Sequence, residues 1–312
     1  MPHIKFSILN PAMWRDISSD TPIPLQQYWA YGKALEAFGS HSFQIEIYNE
    51  NNQKIALALA LQRRFLGLLS LTTIFRGPVW LSDVDSEEKM QALKALRKKF
   101  PKIKWNFLAL LPEIDITNPD VSSLNAAGYK KVMTGFSTAW VDLRPDEKTI
   151  RMSLKGKWRN QLKKAENSDI QIAVGGRKPH QYSWLLEQES EQRSSRGYQA
   201  TPLGLVPAYV DTVKNSADAV VSVIASSKKT KIAGALFLLH GNSATYHIGW
   251  AGNDARDLNA QNLVLWHGIL TLRERGIRFL DLGGLNTADL AGIARFKLGT
   301  GASPVTLAGA YI

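Results

Sequence analysis

The chain has 312 residues, 45% of them apolar, and carries 38 Lys and Arg against 27 Asp and Glu, a formal charge of +11. That length supports two domains with cores of their own, and the absence of cysteine excludes disulfides, thiolate zinc sites and cysteine nucleophiles together. The charge favours an anionic partner such as a nucleic acid, nucleotide or phospholipid head group, or else keeps a basic protein soluble.

In chain order, residues 25–38 read as a helix. Phe43–Tyr48 and Lys54–Leu61 then alternate as strands around the polar turn 49–53, the pattern of a hairpin. An apolar segment ending Ile74-Phe-Arg-Gly-Pro-Val-Trp80 follows, then a helix over 87–100 and a strand over 103–111. The same order recurs: a helix over 182–196, a hairpin of 219–225 and 232–239 around 226–231, a strand over 244–250, a helix over 260–276 and a strand over 278–283. Two hairpins, each followed by strand, helix and strand, predict an α/β (α+β) chain of mixed sheets, built as two units on one plan. The expected boundary gives domains 1–143 and 144–312, with Arg144-Pro-Asp-Glu-Lys148 as the junction. The opening Met1-Pro-His-Ile-Lys-Phe lacks a signal segment, and no run of about 18 apolar residues occurs. A soluble, cytoplasmic chain is the expectation.

Much of the charge is concentrated in 149–165. Arg151, Lys155, Arg159 and Lys163 recur at every fourth position, so a continuous helix would stack them in one stripe beside Ile150, Leu154, Trp158 and Leu162. The stripe suits tRNA or phosphate, and equally a solvated helix face; Gly156 is a point at which the helix could break. The six histidines are scattered, with no pair at zinc-ligand spacing, so no metal site is expected. There is no Gly-x-Ser-x-Gly elbow and no Walker loop. What remains is the run from Leu280-Asp-Leu-Gly-Gly-Leu-Asn286 to Phe296-Lys297, where a strand ends at Asp281, glycines permit close backbone approach, and a lysine could stabilise an oxyanion or phosphate.

Six segments in order resemble the Fem-type peptidoglycan bridge aminoacyltransferases: Leu25-Gln-Gln-Tyr-Trp-Ala-Tyr-Gly-Lys33, Phe75-Arg-Gly-Pro-Val79, Leu124-Asn-Ala-Ala-Gly-Tyr129, Thr138-Ala-Trp-Val-Asp-Leu143, Lys157-Trp-Arg-Asn-Gln-Leu-Lys-Lys-Ala165, and Asp281-Leu-Gly-Gly284 with Phe296-Lys-Leu-Gly299. The resemblance implies two tandem GNAT-like domains. It further implies transfer of an amino acid from aminoacyl-tRNA to the stem-peptide amine of a muramyl-peptide precursor, nucleotide- or lipid-linked, with no cofactor. A lipid-linked acceptor would bring peripheral contact with the inner face of the membrane.

By the resemblance, Phe296 and Lys297 are the catalytic pair, with Lys297 stabilising the transition state. Lys33 and Arg196 are candidates for the precursor's phosphates, although Thr201-Pro-Leu-Gly-Leu205 departs from the family pattern beyond Arg196. Trp29, Arg76 and Asp281, which lie in the matching segments, join them as substrate-binding candidates. No heptad run marks the long coiled-coil arm that some members carry. The alternative reading is a GNAT-type N-acyltransferase using acyl-CoA on a polysaccharide or peptide amine. The segment 257–263 that opens the corresponding helix lacks the glycine-rich pyrophosphate turn of that group. A third reading is a non-catalytic protein that binds RNA or an anionic glycan.

Overall fold

The computed structural model describes residues 2–312 apart from 16, 18, 19, 66, 67, 82, 198–200, 214 and 287–289, and apart from the side chains of Lys102, Arg196 and Ser216. The chain forms two compact units, Met1–Ser137 with Val305–Ile312, and Thr138–Pro304. The expected division into 1–143 and 144–312 differs at both ends. Residues 138–142 pair with the second unit's sheet, and the last eight residues return to the first.

The first unit contains β1 (His3–Ser7), α1 (Pro11–Arg15), α2 (Trp29–Glu36), β2 (His41–Tyr48), β3 (Lys54–Phe65), β4 (Leu69–Phe75), β5 (Val79–Trp80), α3 (Ser86–Lys98), β6 (Asn106–Leu111), α4 (Val121–Ala126) and β7 (Lys131–Met133). The second runs through β8 (Ser137–Asp142), α5 (Glu147–Ser153), α6 (Gly156–Glu166), β9 (Gln171–Gly175), α7 (Ser183–Arg196), α8 (Leu205–Val213), β10 (Val220–Ser227), β11 (Thr230–His240) and β12 (Ser243–Ala251). It closes with α9 (Asn253–Asp257), α10 (Ala260–Glu274), β13 (Phe279–Asp281), α11 (Ala291–Leu298) and β14 (Ser303–Thr306). The last strand, β15 (Ala310–Tyr311), belongs to the first sheet.

Among the described residues the first sheet runs β1-β2-β3-β4-β6-β15-β7, with β5 also on β3, and the second runs β14-β8-β13-β12-β11-β10-β9. Both sheets are mainly antiparallel, and each contains a parallel pair, β4 with β6 and β12 with β13. Those pairs are the strands joined through α3 and α10, as a helical crossover requires. The α/β class and the repeated plan are therefore present.

Both hairpins form where alternation and polar turns placed them. In the second, Lys228 and Lys229 at φ 48° and 68° lie in the left-handed backbone region and make the two-residue turn that suits the right-handed twist of a hairpin, which lengthens the strands beyond the expected 219–225 and 232–239. The expected helix over 25–38 is interrupted: Leu25–Gln27 is a 3₁₀ turn, Tyr28 is extended, and α2 begins only at Trp29. The buried Gln27 amide causes the break. Its Nε2 donates to the carbonyls of Leu59 (3.2 Å) and Phe75 (2.9 Å), while its Oε1 accepts from Leu59 N–H. Asp85 caps α3 by accepting from Glu88 N–H at 2.8 Å, with Glu87 and Glu88 in the first turn and Arg97 and Lys98 in the last, which matches the helix dipole at both ends.

Ile45, Ile47, Leu96 and Leu110 lie in the core of the first unit. In the second, α10 packs Val264, Leu265 and Ile269 over Val223, Ala235 and Phe237 of the sheet. Gly268 fits against the Phe237 ring, where a Cβ would come within 2.3 Å.

Candidate functional site

The second unit's sheet opens at one place. β12 pairs with β13 in parallel only through Ser243, Ala244 and Thr245, opposite Phe279, Leu280 and Asp281. On its other side β12 carries a bulge: Leu236 faces Ile248 and Phe237 faces Tyr246, so His247 is an extra residue. A bulge turns and twists its strand, and this one follows directly on Thr245, the last residue of β12 that pairs with β13. The gap lies at the carboxyl ends of two parallel strands, where open α/β sheets hold their ligands.

Lys297 is at this gap. It projects from α11, is 9% exposed, and donates from Nζ to the Gly284 carbonyl at 2.9 Å. A Cβ built on Gly283 would lie 3.8 Å from both Lys297 Nζ and the Tyr246 carbonyl oxygen, which places ammonium, glycine backbone and bulge together. Gly283 has φ 71°, a left-handed conformation that suits glycine. Burial pushes the Lys297 ammonium down to about 8 from its ordinary 10.5, against the opposing pull of the Asp281 carboxylate. At neutral pH it is a largely desolvated cation held by the Gly284 carbonyl, a group that can engage a developing negative charge.

Asp281 is fully buried and accepts from Thr138 Oγ1 at 2.6 Å and from Gly283 N–H at 2.8 Å. It thereby fixes the turn leaving β13 and sets a negative charge behind the lysine. The sequence expects it to bind substrate; in the structure its carboxylate engages Thr138 and the Gly283 backbone.

Phe296 is half-buried and packs on Trp158 of α6, with ring centroids 6.1 Å apart. Gly299 lies under the same indole, where a Cβ would come within 2.4 Å of Trp158, and its carbonyl accepts from Lys155 N–H at 2.9 Å. The segments containing Trp158 and Phe296-Lys297 are thus one packed corner, in which Phe296 joins α11 to α6.

The basic stretch does not form one helix. It breaks at Leu154 and Lys155, both extended, into α5 and α6. Arg151 is separated from the others and is engaged by Glu166, with Nη1 and Nη2 at 2.7 and 2.5 Å from its oxygens, above the Trp266 ring. Lys155, which immediately precedes α6, and Arg159 and Lys163 on it are exposed. The expected single stripe is therefore these three residues.

In the first unit, Lys33 is exposed on α2 and pairs with Glu36 at 2.7 Å. Trp29 is half-buried, with Nε1 buried and unpaired. Arg76 is 3% exposed and grips Glu113 through Nε and Nη2, both at 2.5 Å. A guanidinium so engaged organises its loop. Arg196 ends α7, which is closed by Gly197 at φ 65°; its side chain and Tyr198 lie outside the described residues.

Two residues at the bulge in β12 were not singled out in the sequence. Tyr246 accepts from Gln261 Nε2 at 2.8 Å, and burial pushes its phenol up to about 12. The His247 imidazole is held down to about 4 by burial and the nearby Arg193 guanidinium, and so is neutral at physiological pH. Only the bulge distinguishes these residues from an ordinary strand, and it has no local sequence signature. Among the described residues no group of three His, Cys, Asp or Glu is placed to hold a metal ion, and no helix is long and apolar enough to cross a membrane.

Residues 152–303, the segment that contains this gap, match the family described as Acetyltransferase (GNAT) domain. No curated protein sequence matches the chain. Among solved structures, FemX superposes with a TM-score of 0.79 over 98% of this chain and 96% of its own, at 15% identity. A tandem GNAT protein from the clavulanic acid biosynthesis pathway gives 0.54, covering 99% and 98% of the two chains at 11% identity. The C-terminal domain of a putative lysylphosphatidylglycerol synthetase from Agrobacterium fabrum gives 0.55, covering 92% and 87% at 14% identity. The chain has the tandem GNAT fold of the FemX type, which bears out the resemblance stated from the six segments, and with it the acyltransferase class.

Proposed function

We propose that this protein transfers an amino acid from aminoacyl-tRNA to the stem-peptide amine of a peptidoglycan precursor, with Lys297 at the gap between β12 and β13 stabilising the transition state. The observation that carries the proposal is the buried Lys297 ammonium beside the gap in a chain folded like FemX throughout its length.

An aminoacyl ester is already activated, so no covalent nucleophile is needed. The acceptor amine attacks the ester carbonyl, the C–N bond forms, the ester C–O bond breaks, and the proton lost by the amine ends on the departing ribose oxygen. The enzyme has to hold the reactants in line and offer a cation to the tetrahedral oxyanion. Lys297 remains protonated throughout as the charge that meets the oxyanion. Asp281, tied to Thr138 and Gly283, keeps the turn and the local potential fixed.

Lys155 at the start of α6 and Arg159 and Lys163 along it, all exposed in the same unit, suit the phosphates of tRNA. Lys33 is the proposed contact for the precursor's diphosphate, with Trp29 beside it on the first turn of α2, and Arg196 a second phosphate contact. The proposed site of action is the cytoplasm.

A second reading, an N-acyltransferase using acyl-CoA, is favoured by the match of 152–303 to an acetyltransferase family. The two are separated by intact-mass analysis of a muramyl-peptide acceptor incubated with enzyme and either a mixed pool of charged tRNA or acetyl-CoA. A gain of one amino-acid residue with the charged tRNA supports the proposal. A gain only with acetyl-CoA selects the second reading.

A further inference from the structure

One end of the first unit's sheet carries an apolar tip that the reaction does not use. Ile103 is 90% exposed, Leu68 81%, Trp105 62% and Phe65 48%. They are brought together by the ladder: Phe65 pairs with Leu69 across β3 and β4, β4 and β6 start side by side at Ser70 and Asn106, and Ser70 N–H donates to the Trp105 carbonyl at 2.9 Å. Trp105 has φ 54°, a conformation bulky side chains rarely adopt, and it is held there with its ring outward.

The two segments that form the tip carry one sign of charge. Segments 62–71 and 98–105 contain Arg63, Arg64, Lys98, Lys99, Lys102 and Lys104, and no Asp or Glu. A second copy of the chain would bring like charges together on this face. A nucleic acid would satisfy the cations and leave Ile103 and Leu68 in water. An anionic bilayer satisfies both, with aliphatic side chains entering the acyl boundary, the indole at the head-group level, and lysines and arginines among the phosphates.

We propose that this tip docks the protein on anionic membrane surfaces. The inference is independent of the transfer reaction, because it concerns binding to lipid alone. Where that reaction also holds, docking favours acceptors presented at the bilayer.

The test is co-sedimentation of the full chain with vesicles of equal parts phosphatidylglycerol and phosphatidylcholine, and with vesicles of phosphatidylcholine alone, at low and near-physiological salt. The expected result is pelleting with the anionic vesicles only, weakened by salt. The double variant Leu68→Ser/Ile103→Ser should lose on the order of tenfold or more in partitioning. Arg64→Gln/Lys104→Gln should lose about fivefold for each cation removed. All four side chains are exposed, so unchanged thermal midpoints are expected, and the charge variant carries the test if the apolar one is destabilised. Wild-type protein that stays in the supernatant, folded variants that pellet like wild type, or tip variants that lose tRNA binding while their pelleting is unchanged would each overturn the proposal.

Discussion

Lys297 Nζ and the Gly284 carbonyl oxygen are 2.9 Å apart, joining the last turn of α11 to the loop that leaves β13. The contact fixes a cation at the gap in the sheet while leaving its other N–H donors available to a substrate. Because Phe296 and Gly299 lock the same helix onto Trp158, the position of the ammonium is set by packing on both sides of it in sequence.

Lys297→Met keeps the unbranched stem, one atom shorter, and removes the charge from a buried place. Its fold should be retained, and its turnover should fall on the order of a hundredfold or more, since an oxyanion donor is worth about 3 to 4 kcal/mol. Single-turnover rates beside far-ultraviolet circular dichroism check both statements; near-normal turnover by a folded variant would remove Lys297 from the mechanism.

The same residue sets a pH dependence with opposite signs in activity and stability. Activity should fall as pH rises through about 8, where the folded-state ammonium loses its proton. Its contribution to stability should instead become more favourable between about 8 and the ordinary 10.5, because there the unfolded chain binds the proton that the folded chain has released. Rate profiles and urea midpoints over pH 7 to about 10, compared with Lys297→Met, test the pairing.

Gly299→Ala should act through packing. An added Cβ would meet the Trp158 indole at 2.4 Å, so α11 or the indole must shift, at a cost of about 1 to 3 kcal/mol. Because Lys297 rides on that helix, kcat should drop more than the stability loss alone explains, with KM for the precursor little changed.

Arg76→Met should behave as a stability variant. It strands Glu113 beside a buried loop and should cost about 3 kcal/mol in urea unfolding. The double variant Arg76→Met/Glu113→Gln should recover part of that loss. Retention of kcat by the folded fraction would mark Arg76 as organising the loop, whereas a large rise in KM without destabilisation would return it to substrate binding.

The hairpins were legible because alternation and polar turns are local. So was the run from Asp281 to Lys297, since its residue types stand close together in the chain. Partnerships across long separations were not. Nothing near Arg76 announces Glu113, 37 residues on, and nothing near Asp281 announces Thr138, 143 residues back. The break between α5 and α6 depends on two extended residues within an otherwise helical pattern, although Gly156 marked the place. The return of residues 305–312 to the first sheet rests on the two-residue strand β15, too short to carry a period. The bulge at His247 depends on register, which only the paired strand defines.

The most direct measurement is the intact mass of a muramyl-peptide acceptor after incubation with charged tRNA, with and without RNase, for wild-type protein and Lys297→Met. Wild-type protein should give an RNase-sensitive gain of one amino-acid residue that the variant all but loses. A gain that survives RNase, or one that Lys297→Met makes as fast as wild type, would contradict the proposed reaction.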